Sequence, residues 1–235
     1  MKYHYIKISG LIIAAISSSV ASAQTNASAW SGPYAQIGIG YESYIPVAAN
    51  GTTTIPSVTT LPTFSTANHS NGPAGSIAAG YNFSLNESYL LGIGASLYPG
   101  HSKTASTSAT NTFGTVVYGT YNVSNVFSFY ISPSYAIDQE KLVYAKVGYT
   151  GATTNSSASG NAAGNFSEQK IQTNGTVYGI GYKQIISGSI YGFAEANYAI
   201  NKAKPVTITT TDGLIINSTA NASGYDVLFG IGYRF

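Results

Sequence analysis

The chain has 235 residues, of which only 8% are charged and 13% are aromatic, with 20 tyrosines and no cysteine. Soluble globular domains carry about 25% charged residues, so this composition disfavours a domain whose whole surface is hydrated. The absence of cysteine excludes disulfides and thiolate metal sites. A formal net charge of +2 does not supply the concentrated basic face that nucleic-acid binding requires.

The first residues predict a targeting segment. Lys2 and Lys7 form a positive region, residues 8–20 form a short apolar stretch, and Ala21-Ser22-Ala23 is an A-x-A cleavage motif. We therefore expect residues 1–23 to be a cleaved signal peptide. No later apolar run reaches the ~18 residues of a transmembrane helix. The exported chain is thus expected to be periplasmic, secreted or inserted in the outer membrane.

From residue 34 onward the sequence alternates with a period of two, which is the period of a β-strand. In the first segment Ile37 and Ile39 alternate with Gly38 and Gly40. Similar segments recur at residues 77–83, 92–97, 127–135, 143–149, 178–183, 190–198 and 225–235. This spacing predicts about eight strands, each near the ~9–11 residues that a tilted membrane-spanning strand needs.

The connections between these segments alternate between short and long. The short ones are residues 84–88, 138–141 and 187–189, and the long polar ones are residues 45–73, 99–122, 151–169 and 201–220. Short turns on one side and long loops on the other are typical of outer-membrane barrels. Residues 113–121 form either an extra strand or an extension of the fourth strand. The extension is favoured because an extra strand would make the number odd. Pro133 lies inside that fourth strand, where it removes a ladder donor.

A soluble β-sandwich would also alternate, but two features favour a membrane barrel. The less apolar face of each strand is rich in glycine, serine and asparagine, unlike a solvated face. Tyrosines recur near strand ends, as in interfacial aromatic girdles; they are Tyr41, Tyr81, Tyr98, Tyr149, Tyr182 and Tyr233. We therefore expect residues 24–235 to form an all-β, membrane-spanning antiparallel up-and-down β-barrel of about eight strands. Its long loops would be extracellular and both termini periplasmic.

Several strand motifs resemble those of a known group. Residues 38–41 (Gly-Ile-Gly-Tyr), 133–138 (Pro-Ser-Tyr-Ala-Ile-Asp), 142–149 and 229–235 are similar to strands of small barrels of the outer membrane protein A and opacity-protein type. The resemblance implies a Gram-negative outer-membrane protein exposed at the cell surface. The terminal Phe235, with Tyr233 and Ile231 at alternating positions, is similar to the signal read by the barrel assembly machinery.

Six charged residues fall on the face expected to line the lumen: Glu42, Lys146, Lys183, Glu195, Asp226 and Arg234. A charge in a narrow interior must be paired, because its desolvation is costly. One interpretation is an ion-pair network that plugs the barrel. The alternative is a charged constriction that passes small solutes, which would make the protein a narrow porin.

The long loops predict a surface-interaction, adhesin-like role, with a host or matrix ligand as the possible partner. Lys202 and Lys204 follow the seventh strand, where they could meet lipopolysaccharide phosphates. A lipid-modifying hydrolase is a distant alternative, because His101 beside Ser102 is the nearest approach to a catalytic pair. We therefore predict no catalytic residue, metal or cofactor, and a monomer with a structural or surface-interaction role among outer-membrane lipids.

Overall fold

The protein is described by a computed structural model, which covers residues 25–45, 50–162 and 164–235. Within these ranges the chain consists of β-strands and one short 3-10 turn, Ser28–Trp30. No helix in the same ranges is long and apolar enough to cross a membrane. The predicted signal peptide, residues 1–23, lies outside the described residues and stays a prediction.

Thirteen strands follow one another in the described chain. They are β1 (Gly32–Tyr44), β2 (Gly51–Ile55), β3 (Thr59–Ala67), β4 (Ser70–Ser84), β5 (Tyr89–His101), β6 (Ala105–Asn111), β7 (Val116–Ala136), β8 (Lys141–Ala158), β9 (Phe166–Ser187), β10 (Ile190–Asn201), β11 (Lys204–Thr209), β12 (Ile215–Ala220) and β13 (Gly224–Arg234).

Eight of these strands close into a ring in the order β1-β4-β5-β7-β8-β9-β10-β13. Every neighbouring pair is antiparallel, and β13 returns to pair with β1. Because the ring is closed, none of these eight strands has a free edge, which is the condition for placing a sheet in hydrocarbon. The predicted eight-stranded antiparallel barrel is confirmed.

The side chains alternate across the barrel wall as the sequence pattern predicts. Ile39 and Phe229 are 77% and 59% exposed on the outer face, whereas Leu228 is 2% exposed and faces inward. The small residues of the other parity, such as Gly38, line the bore. The core of the molecule is therefore the interior of the barrel, and its outer face is apolar.

The two ends of the barrel differ. The lower end carries the short turns after β4, β7 and β9 together with the Ser28–Trp30 turn, and the upper end carries the long connections. These connections lie where the sequence predicts them, but they are themselves folded into β2, β3, β6, β11 and β12. Their alternating serine and threonine residues do not reveal this, because both faces of such strands are polar.

The upper strands continue the barrel wall beyond the ring. Hydrogen-bonded pairs run from β7 through β6, β3, β2 and β12 to β11, and β11 contacts the upper part of β9. The strands β7, β8 and β9 are 21, 18 and 22 residues long, and their upper parts form the rest of this wall. We call this part of the wall the upper extension.

The fourth strand of the ring, β7, settles two questions left by the sequence. Residues 116–121 are continuous with it, so the interpretation of residues 113–121 as an extension is confirmed from Val116 onward. Pro133 pairs in register with Leu91 of β5. On the β8 side the ladder lacks pairs at Ser132 and Pro133, as expected where a proline provides no N–H donor.

Candidate functional site

The centre of the bore holds a buried ion pair between side chains of β8 and β10. Lys146 Nζ donates to Glu195 Oε1 at 2.8 Å, and the two side chains are 2% and 5% exposed. Tyr144 Oη donates to Glu195 Oε2 at 2.6 Å, and Asn197 Nδ2 donates to Oε1 at 2.8 Å. Both carboxylate oxygens are therefore satisfied, which offsets the cost of burying the charges.

Lys183 points into the bore from β9, the strand between β8 and β10. It is buried, and within the described ranges it forms no ion pair with a carboxylate. Its Nζ lies 4.1 Å from the ring centroid of Tyr34, 4.9 Å from that of Tyr191 and 5.2 Å from that of Tyr144. The negative faces of these three rings stabilise the ammonium group through cation–π interactions.

A second group of polar side chains lies above the ion pair. Asp226 accepts hydrogen bonds from Tyr98 Oη at 3.2 Å and from Asn197 Nδ2 at 2.8 Å. Tyr98 therefore points into the bore, and its expected place in the interfacial girdle is wrong. Glu42 is opposite Asp226 in the β1–β13 register and accepts from Tyr44 Oη at 3.3 Å. Asn197 bonds to Glu195 and Asp226, so it joins the two levels into one network.

Among the described residues Arg234 forms no hydrogen bond or ion pair with that network, and its place in a lumen charge network stays a prediction. It is the next-to-last residue and lies at the lower rim, where its Nη2 donates to the Gly188 carbonyl at 2.9 Å. Its guanidinium carbon lies 5.3 Å from the ring of Trp30. Trp30 is 2% exposed and packs edge-on against Tyr191 at 5.7 Å. The Ser28–Trp30 turn and Arg234 together fill the lower mouth.

The lumen tyrosines are functional residues that the sequence reasoning missed. Tyr34, Tyr130, Tyr144 and Tyr191 are buried and point inward, and the hydroxyls of Tyr34 and Tyr130 lie 3.2 Å apart. The sequence contains a signal for their inward position, because each lies on the strand face that is otherwise occupied by glycine, serine or charged residues. On a barrel strand that face is the one that fills the bore.

Glycines on neighbouring strands make room for these rings. A Cβ atom on Gly181 would overlap Tyr144 Cζ, and one on Gly232 would overlap Tyr191 Cζ. Neither atom could be added without movement of the ring. The glycines therefore leave the space that the tyrosine rings occupy, because the bore of an eight-stranded barrel is narrow.

The remaining predicted residues lie on the outside of the molecule. Ile231, Tyr233 and Phe235 are 54%, 48% and 72% exposed on one outward face, and the last two rings are 5.1 Å apart. Lys202, between β10 and β11, and Lys204, the first residue of β11, are exposed at the upper end. These positions are compatible with the roles expected of them, which stay predictions.

The structure does not bring His101 and Ser102 together as a catalytic pair. His101 is exposed, whereas Ser102 is 2% exposed and faces inward. The Ser102 hydroxyl accepts from the Val123 N–H at 2.9 Å and lies 2.6 Å from Ser70 Oγ. Among the described residues there is also no group of three or more histidine and acidic side chains that could hold a metal ion.

A closed antiparallel barrel with an apolar outer face and a polar interior defines a small integral β-barrel of the bacterial outer membrane. Residues 11–235 match the family model described as "Outer membrane protein beta-barrel domain", and the chain belongs to that family. The lower end, with its short turns, is therefore the periplasmic end. The upper extension faces the outside of the cell.

One solved structure supports the fold, and two further ones are matches only. The chain is similar to the outer membrane protein OprG from Pseudomonas aeruginosa, with a TM-score of 0.60 and 11% identity over 87% of this chain and 96% of that one. It also matches Ail, the attachment invasion locus protein of Yersinia pestis, with a TM-score of 0.40 and 16% identity over 87% and 99% of the two chains. The outer membrane protease OmpT from Escherichia coli matches with a TM-score of 0.41 and 11% identity over 87% and 97%. No curated protein sequence matches the chain.

Proposed function

We propose that this barrel has a structural and surface-interaction role, adhesin-like in character, and that it is not an enzyme. The observation that carries the proposal is the filled lumen at the level of Lys146 and Glu195. The described residues of the bore enclose voids of about 10 and 20 Å³, one below the ion pair and one above it. A space of ~10–15 Å³ is needed for a single water molecule. Voids of this size hold isolated waters, which supports a lumen without a path for solutes.

With the lumen filled, the surface proposed for binding is the outer side of the upper extension. Phe64 on β3 and Tyr118 on β7 are 54% and 64% exposed, and Phe113 at the β6–β7 turn is 67% exposed. Their neighbours Thr63 and Val117 are buried, so Phe64 and Tyr118 point away from the barrel axis. Exposed aromatic side chains are the usual anchors of protein interfaces. They support contact with a host or matrix protein.

Binding of purified protein in lipid nanodiscs to host cells and matrix proteins tests this role. We expect Phe64→Ser combined with Tyr118→Ser to weaken binding at least tenfold. Thr66→Ser combined with Thr110→Ser is the matched control, because these residues share the same outward face of β3 and β6 without an aromatic ring. Equal binding by both double variants and the unmodified protein would count against an adhesin-like surface.

Planar-bilayer conductance separates a sealed barrel from a narrow porin. We expect the purified protein to be electrically silent, because the Lys146–Glu195 pair and the tyrosines close the bore. The alternative is that this pair forms a charged constriction. Discrete conductance steps that disappear in Glu195→Ala or Lys183→Ala would favour the porin. Lipid hydrolysis that depends on His101 would favour the hydrolase instead.

We also propose that Lys202 and Lys204 contact lipopolysaccharide phosphates around a monomeric barrel. Both lysines are exposed at the upper end of the ring, and phosphates of the outer leaflet are expected near that level. Replacing both lysines by glutamine should reduce the binding of lipopolysaccharide to the protein in micelles. The exposed Lys170, which pairs with Glu168 at 3.3 Å, is the control position.

A further inference from the structure

The upper extension surrounds a half-open cavity of about 130 Å³ that is separate from the polar lumen. Inward-pointing side chains of β3, β6, β7, β8, β9, β11 and β12 line it. Val117, Ala158 and Ile216 form a buried apolar cluster on its wall, and Phe166 and Ile208 pack against that cluster. None of the lining residues in the described chain is charged.

The polar residues of the lining present mostly carbon to this space. The Thr107 hydroxyl donates to the Thr66 carbonyl at 2.8 Å, and the Thr154 hydroxyl donates to the Asn221 carbonyl at 3.4 Å. A threonine whose hydroxyl is bonded to the backbone has no free donor to offer a polar ligand. The cavity therefore favours uncharged molecules without hydrogen-bonding groups.

The floor of the cavity separates it from the lumen. Tyr121 projects from β7, and its hydroxyl donates to the Asn68 carbonyl and, at 3.5 Å, to the Tyr44 carbonyl. Tyr44, Tyr121 and Val123 form a buried layer together with Ala152 and Ala222. A molecule held above this layer has no path into the bore, so the site binds and releases from the outside.

The walls of the cavity are tied together by side chains. Asn161, after β8, exchanges two hydrogen bonds of 2.8 Å with the backbone of Tyr118 on β7. Asn165 donates its N–H to Thr211 Oγ1 at 3.0 Å, and the Thr211 N–H donates to the Asn165 carbonyl at 2.8 Å. Asn161 and Asn165 both lie between β8 and β9, so this connection links β7 to the β11–β12 turn. The cavity is therefore preformed, and binding requires little ordering of its walls.

We propose that this cavity is a binding site for a small, uncharged, apolar molecule about the size of a single hydrocarbon ring. An enclosed apolar protein cavity of about 150 Å³ binds benzene or xenon, and this half-open cavity is close to that size. In an empty apolar cavity the lining atoms lack van der Waals contacts on the side that faces the cavity, and an apolar ligand supplies these contacts. The site is independent of the adhesin-like role, because its residues point inward where the proposed contact residues point outward.

Methyl NMR of protein labelled at isoleucine Cδ1 tests the proposal, with toluene as the probe. Ile208 and Ile216 line the cavity, whereas Ile39 and Ile180 are 77% and 69% exposed on the lipid-facing side. In detergent micelles the Ile208 and Ile216 shifts should saturate with toluene, while the Ile39 and Ile180 shifts should change linearly as toluene partitions into the micelle. Benzoate, which is charged, should not saturate any of them. Linear or absent changes at Ile208 and Ile216 would overturn the proposal.

Two adjacent positions provide matched variants. Val117→Trp places a large ring in the cavity and should weaken the saturable toluene binding at least tenfold. Val116→Trp, on the outward side of the same strand, should leave it unchanged. If Val117→Trp does not fold, Ala109→Leu on β6 is the second variant, because leucine fills less of the cavity than tryptophan. Toluene binding that persists at full strength in a folded, cavity-filled variant would contradict the assignment of the site.

Discussion

Lys146 and Glu195 meet at 2.8 Å in the middle of the bore although their strands, β8 and β10, are separated by β9. Glu195→Gln keeps an acceptor and a similar shape but leaves the Lys146 ammonium without a counter-charge. Breaking a buried pair in this way typically costs about 3–5 kcal/mol. We expect a loss of that order in urea unfolding followed by the fluorescence of Trp30, the single tryptophan of the chain.

Two controls isolate the charge effect. Lys146→Met combined with Glu195→Gln removes both charges and should recover most of the stability. Glu168→Gln breaks the exposed Lys170–Glu168 pair, whose side chains are 69% and 55% exposed, and should change stability by less than about 1 kcal/mol. A Glu195→Gln variant as stable as the unmodified protein would mean that the pair does not hold the lumen together.

Gly181 and Tyr144 make a second test of the packed interior. A Cβ on Gly181 would overlap Tyr144 Cζ, so Gly181→Ala must push the ring away from Glu195. Overpacking of this kind costs about 1–3 kcal/mol, measured by the same urea unfolding. Gly75→Ala on β4 is the control, because an added Cβ there meets nothing within 4 Å.

The collision with the ring can be separated from other effects of the added methyl group. In a Tyr144→Leu background, Gly181→Ala should cost less than in the unmodified protein, since the ring it collides with is gone. The two substitutions should therefore couple in a double-mutant cycle. Additive losses of stability would mean that the cost of Gly181→Ala does not come from contact with the Tyr144 ring.

The periplasmic turn between β7 and β8 gives a pH-dependent prediction. Lys141 Nζ donates to Asp138 Oδ2 at 3.0 Å, and the Glu140 and Lys141 N–H groups donate to Oδ1 at 2.8 and 2.7 Å. The hydrogen bond from Lys141 and those from the backbone lower the pKa of Asp138 below its ordinary value of 3.8. Since the folded pKa is the lower one, this stabilisation is present above the ordinary pKa and is lost as the pH falls through the folded pKa.

Two measurements check this sign. The stability difference between the unmodified protein and Asp138→Asn should be larger near about pH 6 than near about pH 2, because the asparagine side chain has no charge to lose on acidification. The carboxyl ¹³C shift of Asp138, followed by NMR, should report a higher pKa in Lys141→Met than in the unmodified protein. An unchanged carboxyl titration in Lys141→Met would show that the lysine does not set the pKa.

The last residue allows the proposed assembly signal to be tested apart from stability. Phe235 is 72% exposed and lies beside Tyr233 on the lipid-facing side, so Phe235→Ser removes little interior packing. We expect several-fold less heat-modifiable barrel in the outer membrane of cells, but normal refolding of the purified chain into detergent. Arg234→Lys, on the opposite face, is the control. Equal amounts of both variants in the membrane would argue against a recognition role for Phe235.

Much of the barrel could be predicted because its information is local. Ile37 and Ile39 alternate with Gly38 and Gly40, and a side-chain period of two then assigns one set to lipid and the other to the bore. The same parity placed Lys146, Lys183, Glu195 and Asp226 in the lumen. It also placed Tyr144 and Tyr191 on the inward face, but their packing around Lys183 followed only from the structure.

The upper extension could not be predicted from the same rule. Thr53 and Thr54 on β2 pair with Leu61 and Thr60 on β3, and Thr53 and Thr54 also pair with residues of β12, near the other end of the chain. In threonine-rich strands the two faces are chemically alike, so the pattern specifies neither register nor partner. The cavity behind these strands was invisible for the same reason.

The sequence by itself determined the strand periodicity, the number of membrane-spanning strands and the side of the wall on which each lumen charge lies, because these depend on neighbouring residues along the chain. Only the tertiary structure decided which side chains meet. Closure of the ring brings Lys146 to Glu195 across an intervening strand, surrounds Lys183 with three rings and leaves Arg234 at the rim beside Trp30. These contacts depend on the curvature of the closed sheet, which no local pattern encodes.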